Sequence, residues 1–359
     1  MTASLVAHKI TNVIFGCEGL SLSDAECDFF KDIKPAGFIF FKRNVANPSQ
    51  FSALVAQCKA IVGERPALFL IDQEGGRVQR LQSPHWRHYP PIGSFGELYE
   101  ALPNERSKIL RALELNTRLL AVDLRLLGLN VNCLPLLDVP TSDGDNIIGD
   151  RAFSSNVDTI TMLGKIVTAG LQAEGVLPVI KHIPGHGRAT VDSHKSLPVV
   201  NTSLDDLTDS DFKAFTPFAQ EALAMTAHVT YAAIDASEPA TFSKTIIENI
   251  IREQIGFSGL LMSDDLSMNA LKGGFSERAR KTNAAGVDLL LHCNGNMAEM
   301  QAIAAEALGL TKTQCSKLNN AINALPHEHS SRQDLEDEYD ALTARLAVML
   351  KENNKGLGQ

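Results

Sequence analysis

The stretch VLPVIKHIPGHG (residues 176–187) joins a wholly apolar run to ionisable side chains without a break. The run VLPVIK (176–181) does not alternate apolar and polar residues, as is typical of a strand covered on both faces. The residues that follow have neither helical nor strand periodicity, and they are rich in histidine, glycine and proline. This stretch therefore predicts a buried parallel strand whose carboxyl end opens into a functional loop.

The same pattern recurs along the chain, with helical patterns between the apolar runs. The eight runs are NVIFGC (12–17), GFIFF (37–41), ALFLI (67–71), LNVNCL (129–134), VLPVIK (176–181), AMTAHV (224–229), GLLMS (259–263) and GVDLLLH (286–292). Eight β/α alternations predict an α/β fold, a TIM-type (β/α)8 barrel. A doubly wound sheet is the alternative, but neither a GxGxxG unit nor a GxxxxGK[ST] loop accompanies the strands.

The helical patterns include residues 103–128, 156–175, 206–223 and 243–256, the last with Ser243 as its N-cap and Gly256 as its C-cap. No linker, repeat or low-complexity tract interrupts the chain, so residues 1–359 are predicted to form a single domain with its last strand at about 286–292. A helical tail is expected at about 300–350, with residues 351–359 frayed. Leu335, Tyr339, Leu342, Leu346 and Met349 have helical spacing there, which predicts a C-terminal helix packed on the barrel, with a dimer helix as the alternative.

The composition excludes several classes of protein. A net charge of −9 disfavours nucleic-acid binding, which depends on clustered Lys and Arg. No apolar run approaches the length of a membrane span, and no signal peptide is visible. The six cysteines are scattered, which suits a reducing compartment and predicts buried free thiols at Cys17, Cys133 and Cys293. A cytoplasmic location is expected, with no obligatory protein partner evident.

Reactive residues stand where a barrel would place its active site, at the carboxyl ends of the strands. They are KRN (42–44), DQEGGR (72–77), Asp138, Lys181 with His182, His228, SDD (263–265), and His292 with Asn294. The amino ends of the predicted strands show no such concentration. This convergence predicts an enzyme.

Each of these residues also has a simpler interpretation. Asp72 is compatible with a turn or helix cap, and His228 with a core histidine whose hydrogen bonds are satisfied. Lys42 and Arg43 either face solvent or pair with nearby carboxylates. Because neighbouring residues on a strand face opposite ways, one of Asp264 and Asp265 is expected in the site and the other outside it, as a cap or ion-pair partner.

The loop KHIPGHGRATVDSHKSLP (181–198) has three possible chemistries. A metal site of His182, His186, His194 and Asp192 is disfavoured by its spacing, and the loop contains neither an HxH nor an HExxH pattern. A phosphate cradle at the two loop glycines is disfavoured because no helix start follows.

Acid/base chemistry is the third possibility for the loop. Asp192 and His194 are two residues apart, so in an extended loop the aspartate can orient the imidazole. Such a dyad needs a nucleophile, for which Asp264 is the candidate. Pro184, Gly185 and Gly187 are expected to let the loop close over substrate.

Long motifs of the chain resemble glycoside hydrolase family three, and more narrowly its single-domain bacterial β-N-acetylglucosaminidases that recycle cell-wall fragments. They are KHIPGHGRATVDSHKSLP, GLLMSDDLSM, GFIFFKRN, LFLIDQEGGRVQRL, LPLLDVP, IGDRAFSSN and MTAHVTY, and they cover about residues 10–295 in family order. Ile183 stands where phenylalanine is more usual in the family, a mild apolar exchange.

The resemblance implies roles for particular residues. Asp264 is implied as the nucleophile, and His194 as the general acid/base with Asp192 as its partner. Residues of the sugar site are implied to be Asp72, with Arg80 nearby, Arg151, Lys181 and His182. The implied reaction is retaining hydrolysis of terminal β-N-acetylglucosamine, without metal or cofactor, from small muramyl or anhydromuramyl fragments with or without peptide.

Three alternatives to that reaction stay open at this point. The Asp264–Asp265 pair could position a substrate N-acetyl group as the nucleophile, although strand geometry disfavours it. Phosphorolysis is possible because a neutral histidine does not repel phosphate, and a sugar-binding sensor without activity is the non-enzymatic reading. Arg188 is expected to face solvent, with contact to an anionic leaving group as the alternative, and His186 is expected to bond the loop to itself.

Overall fold

The computed structural model describes residues 10–141, 148–189, 191 and 196–356. Within them, eight parallel strands form one sheet in which each strand from β1 to β7 pairs with its neighbours along the chain, and the last strand pairs with the first. They are β1 Thr11–Gly16, β2 Pro35–Phe40, β3 Leu68–Ile71, β4 Val131–Asn132, β5 Leu177–Ile183, β6 Leu223–Thr226, β7 Leu260–Met262 and β8 Leu290–His292. An isolated bridge between Met262 and Leu289 brings β7 to β8. The predicted (β/α)8 barrel is confirmed.

Helices surround the strands. They are α1 Asp24–Ile33, α2 Pro48–Val62, α3 Gly93–Ala101, α4 Arg106–Leu126, α5 Val157–Ala173, α6 Leu204–Leu207, α7 Lys213–Phe215, α8 Phe275–Ala285, α9 Met297–Ala304, α10 Lys312–Asn323 and α11 Arg332–Gly356. Among the residues that the structure describes, no helix combines the length and hydrophobicity needed to cross a bilayer.

Two predicted helices differ in detail from those observed. The helix expected over 206–223 is a series of short turns that includes a π-helical segment, Thr208–Phe212, and a 3₁₀ turn, Thr216–Phe218. Pro217 has no N–H to donate, which ends regular helix before β6 begins. The helix expected over 243–256 starts as predicted, since Ser243 Oγ accepts the Ile246 N–H at 3.2 Å. Its bonds over Ile246–Gln254 follow π-helical spacing, which the apolar pattern does not encode.

Apolar side chains pack on both faces of the sheet, as the lack of alternation predicts. Ile14, Ile39, Leu70, Val179 and Met262 belong to a cluster inside the barrel. Their immediate neighbours along each strand belong to a second cluster between the sheet and the helices. Cys17, Cys133 and Cys293 are buried free thiols, as predicted.

The C-terminal helix α11 packs against the barrel layer, as predicted. Leu335, Tyr339 and Leu346 are buried, and the Tyr339 hydroxyl donates to Asn116 Oδ1 on α4 at 3.2 Å. The helix continues to Gly356, beyond the point where fraying was predicted.

Replacing Leu335 by alanine removes buried apolar surface from α11 and should lower the free energy of unfolding by about 2–3 kcal/mol. Urea denaturation monitored by circular dichroism measures the change. The matched control is Leu126→Ala on α4, where the leucine is 63% exposed and the expected change is within about 0.5 kcal/mol. Equal effects of the two substitutions would show that α11 does not contribute to the core.

Candidate active site

A cavity of about 330 Å³ opens at the carboxyl ends of the strands. That volume is at the lower end of the ~300–1,000 Å³ usual for small-ligand sites. Its lining residues are Ile39, Phe41, Asp72, Glu74, Arg77, Val78, Arg80, Ile148, Arg151, Lys181, His182, His186, Met225, Asp264, Asp265, Met268, Leu291 and Cys293. Reactive side chains from several strand ends therefore meet in one place, as the barrel hypothesis requires.

The strand period brings two carboxylates of one segment into the cavity. Leu68 and Leu70 point into the barrel, and the same two-residue period continues through Asp72 and Glu74. Asn132 holds this extension at the neighbouring strand, because its side chain exchanges two hydrogen bonds with the Gln73 backbone at 2.9 and 3.0 Å. The carboxylates are thus continuations of a buried strand rather than residues of a loose turn.

Lys181 on β5 joins these two carboxylates. Its ammonium group lies 3.1 Å from Asp72 Oδ1 and 2.7 Å from Glu74 Oε1, and its side chain is only 3% exposed. Arg80 binds the second oxygen of Asp72 at 3.1 Å. Arg151 holds both oxygens of Glu74, each at 2.8 Å. The five side chains form one ion network across the floor of the cavity.

The network keeps its members charged in spite of their burial. Burial alone would raise the pKa of Glu74, but Arg151 and Lys181 outweigh it and lower the pKa to about 2. The pKa of Asp72 is likewise held far below its usual range, because Lys181 and Arg80 overcome the effect of burial. The pKa of Lys181 stays above its ordinary value, since Glu74 and Asp72 outweigh the burial that would lower it.

His182 is oriented from behind by Asp138. Asp138 Oδ2 lies 2.8 Å from His182 Nδ1, and its other oxygen accepts the His182 and His186 backbone N–H groups at 3.2 and 2.7 Å. Burial would raise the pKa of Asp138, but His182 and His186 lower it to about 2. A carboxylate only accepts, so Nδ1 carries a proton and Nε2 is the ring nitrogen left for a ligand.

Lys181 and His182 both line the cavity although they are adjacent on β5. The pairing of β5 with β6 shifts in register between Lys181 and Ile183. This irregularity breaks the two-residue alternation, so Ile183 packs outside the barrel while His182 faces the site.

Asp264 follows β7, and Asp265 also lines the cavity, so the expectation that the pair would face opposite ways is wrong in part. The Asp265 N–H donates to Asp264 Oδ1 at 2.7 Å. Asp265 Oδ1 accepts from the Ser267 and Cys293 N–H groups at 2.9 and 3.1 Å, and its Oδ2 accepts from the Ser267 hydroxyl at 2.5 Å. Asp265 therefore caps a turn, as predicted for one member of the pair, while it borders the site.

The pKa of Asp264 is lowered from its ordinary value. Burial alone would raise it, but the His228 and His182 side chains, the Asp265 N–H and Lys181 together outweigh burial. Asp264 is consequently a carboxylate at neutral pH, the form that acts as a nucleophile.

The start of the loop after β5 is anchored at several points. The Tyr231 hydroxyl donates to the Gly185 carbonyl, and Arg188 Nε lies 2.6 Å from Asp211 Oδ2. A Cβ on Gly187 would lie 2.0 Å from the Val139 carbonyl oxygen, so close packing requires a glycine at this position.

One further expectation for the loop is wrong, and another is incomplete. Arg188 does not face solvent, because it pairs with a buried aspartate. His186 does more than bond the loop to itself, because it lines the cavity with its ring centre 5.5 Å from that of His182. Burial first, and His182 second, lower the pKa of His186 to about 4, so it is neutral at pH 7.

The structure brings together Asp72, Arg80, Arg151, Lys181, His182 and Asp264, six of the eight side chains that the sequence nominates. Asp192 and His194 lie outside the described residues. Sequence reasoning did not assign roles to Glu74, Asp138 and His228, although each stands at a predicted strand end. Only their positions in the fold indicate these roles. Glu74 contacts Lys181 and Arg151, and Asp138 contacts His182, all of them distant along the chain.

The fold and the cavity define an enzyme of the (β/α)8 class whose site is built for a small, polar molecule. The family model described as glycosyl hydrolase family 3 N terminal domain matches residues 8–324. The beta-hexosaminidase of Thiobacillus denitrificans is 36% identical over 280 residues, 77% of this chain and 76% of the relative. That of Bordetella avium is 34% identical over 289 residues, 79% and 80% of the two chains. The chain belongs to glycosyl hydrolase family 3.

Solved structures agree with this assignment. The crystal structure of NagZ from Neisseria gonorrhoeae in complex with N-trifluoroacetyl-D-glucosamine has a TM-score of 0.83 and 30% identity, and the match covers 94% of this chain and 98% of that one. The predicted family and the predicted enzyme class, a glycosidase of the β-hexosaminidase type, are confirmed.

The ion network makes a prediction about acid stability. The pKa of Glu74 is about 2 in the folded chain and about 4.3 when unfolded, so between these values the unfolded state binds more protons. Stability from Glu74 is therefore complete above about pH 4.5 and lost as the pH falls towards 2. In Glu74→Gln, the slope of unfolding free energy against pH in this window should decrease by up to about 1.4 kcal/mol per pH unit.

Urea denaturation at a series of pH values measures that slope. The same substitution at the exposed Glu253 is the matched control and should leave the slope unchanged. An unaltered slope in Glu74→Gln would contradict the account of the network.

Proposed function

We propose that the chain removes terminal, non-reducing β-linked N-acetylglucosamine by retaining hydrolysis, with Asp264 as the nucleophile. The observation that carries the proposal is the ionised Asp264 carboxylate in a cavity of about 330 Å³, which it shares with the ion network. The ligand of the Neisseria gonorrhoeae structure, N-trifluoroacetyl-D-glucosamine, supports this choice of sugar.

The network suits the binding of sugar hydroxyls. Asp72 accepts from a hydroxyl, Arg80, Lys181 and Arg151 donate to sugar oxygens, and His182 presents Nε2. Because Asp138 fixes the imidazole and the carboxylates fix the cations, the site is ordered before substrate arrives. This preorganisation supports tight positioning of the anomeric carbon over Asp264.

Asp264 attacks the anomeric carbon while His194, oriented by Asp192, protonates the leaving oxygen. Water then enters, His194 removes its proton, and the glycosyl–Asp264 ester is hydrolysed. The roles of Asp192 and His194 rest on the DSH motif and on the anchored start of their loop. A histidine with a pKa of ~6.5 suits a group that gives and then takes a proton near neutral pH.

The contacts of Asp265 favour this covalent route over assistance by the substrate N-acetyl group. Its carboxylate already accepts three hydrogen bonds, from Ser267 twice and from Cys293. It is therefore engaged in holding a turn, and it is poorly suited to orient an acetamido group.

The natural substrates are proposed to be peptidoglycan-derived fragments that carry a muramyl or anhydromuramyl unit, with or without peptide. Arg188 is held by Asp211, which argues against it as the group that meets an anionic leaving group. A cytoplasmic location stays a prediction of the sequence.

A fluorinated substrate with a good leaving group should trap the glycosyl-enzyme, because fluorine slows both steps through their oxocarbenium-like transition states while the leaving group restores the rate of the first step. Peptide mass spectrometry is expected to find the sugar on Asp264, with unlabelled substrate as competitor. A protein that turns over chromogenic N-acetylglucosaminide but never carries the label would contradict the covalent route.

Adding inorganic phosphate to the assay distinguishes hydrolysis from phosphorolysis, since sugar 1-phosphate would appear only if the enzyme were a phosphorylase.

His194→Ala should lower kcat/KM, which reports formation of the glycosyl-enzyme, about 10²–10⁴-fold for substrates with poor leaving groups. It should affect substrates with good leaving groups much less, since these need no protonation. Steady-state kinetics on a pair of aryl glycosides of different leaving-group pKa measure the contrast. An equal loss for both substrates would rule out the acid role of His194.

A further inference from the structure

His228 is a completely buried histidine that none of the roles above uses. It follows β6 and is not among the side chains that line the cavity. Its ring nevertheless lies next to the turn that carries Asp264. The hydrogen-bond partners of this buried imidazole therefore indicate its role.

Both ring nitrogens of His228 have partners. Nε2 lies 3.0 Å from the Asp265 carbonyl oxygen, and Nδ1 lies 2.7 Å from Thr241 Oγ1. Thr226 Oγ1 is 2.8 Å from the same Thr241 hydroxyl. Thr226 and Thr241 are fully buried as well, so the chain of contacts has no exchange with solvent.

These contacts fix the tautomer of His228. A carbonyl oxygen only accepts, so the proton is on Nε2. Burial lowers the pKa of His228, which keeps the ring neutral at pH 7, so Nδ1 accepts from the Thr241 hydroxyl. The weaker contact of that hydroxyl with the Ala227 carbonyl, at 3.2 Å, does not compete with the 2.7 Å bond.

Asp265 is held on every side of its backbone. Its carbonyl accepts a hydrogen bond from His228 Nε2, its carboxylate accepts from Ser267 and Cys293, and its N–H donates to Asp264 Oδ1 at 2.7 Å. The last bond is the one that orients the candidate nucleophile. The Asp265 carbonyl belongs to the peptide between Asp265 and Leu266, which meets the peptide that carries the Asp265 N–H at the Asp265 α-carbon. Release of the carbonyl would therefore loosen the turn at Asp265 and would leave the carbonyl without this donor.

We propose that His228 is a positioning residue for Asp264. As the neutral Nε2–H tautomer, it holds the Asp265 carbonyl and so keeps the Asp265 N–H directed at the Asp264 carboxylate. The inference rests on the proposed function, in which Asp264 is the nucleophile. His228 itself touches no substrate.

The test compares His228→Ala with His228→Gln, whose side-chain amide can still donate to the Asp265 carbonyl. His228→Ala should lower kcat about 10²-fold, the cost of a misplaced reacting group, with KM changed less than about threefold. His228→Gln should recover at least about tenfold of that loss. The rate at which the fluorinated substrate labels Asp264 should follow kcat in both variants.

A second pair of variants covers the case in which His228→Ala does not fold. Thr241→Val removes the partner of Nδ1 at constant size and should lower kcat about tenfold. The matched control is Thr117→Val, since Thr117 is also buried but bonds only within α4. It should keep wild-type kcat.

The outcomes separate the two proposals. If the wild type labels Asp264 and His228→Ala labels it at the same rate, the positioning role is overturned while the nucleophile stands. No recovery in His228→Gln, or equal kcat for the two threonine variants, also overturns it. If the wild type carries no label on Asp264, the proposed function fails, and the inference fails with it.

Discussion

The buried ammonium group of Lys181 is the constraint on which the site depends. An unpaired cation at this depth would cost several kcal/mol, so Asp72 and Glu74 must be brought to it. Arg80 then pairs with Asp72, and Arg151 pairs with Glu74. Three cations against two carboxylates leave one positive charge over. Lys181 adds in this way to the effects of His228, His182 and the Asp265 N–H, which together lower the pKa of Asp264. The network thus sets the shape of the cavity floor and contributes to the charge state of Asp264.

Sequence alone predicted the barrel because a closed parallel sheet buries both faces, and this leaves unbroken apolar runs. It predicted the site because strand ends converge, so Asp72, Lys181, His182 and Asp264 could be grouped without knowing any distance. Glu74, Asp138 and His228 gained their roles only from partners distant in sequence. Arg188 was misjudged for the same reason, since nothing in its local sequence shows that Asp211 lies beside it.

Two features of the backbone were also beyond sequence reasoning. The register shift at Lys181–Ile183 puts adjacent side chains on one side of the sheet, against the two-residue period used to predict orientation. The π-helical spacing over Ile246–Gln254 keeps the apolar face that an α-helix would have. Periodicity of apolar residues predicts which face of a helix is buried. It does not predict whether the backbone hydrogen bonds have α-helical or π-helical spacing.

Asp138 serves two parts of the site at once, because it orients the His182 ring and holds the His186 N–H at the start of the loop. A substitution there disturbs the His182 ring and the loop geometry together. Through this residue, selection cannot change one of them without the other. A lineage that changes the loop must therefore do so beyond His186, while the first residues of the loop stay tied to His182 through Asp138.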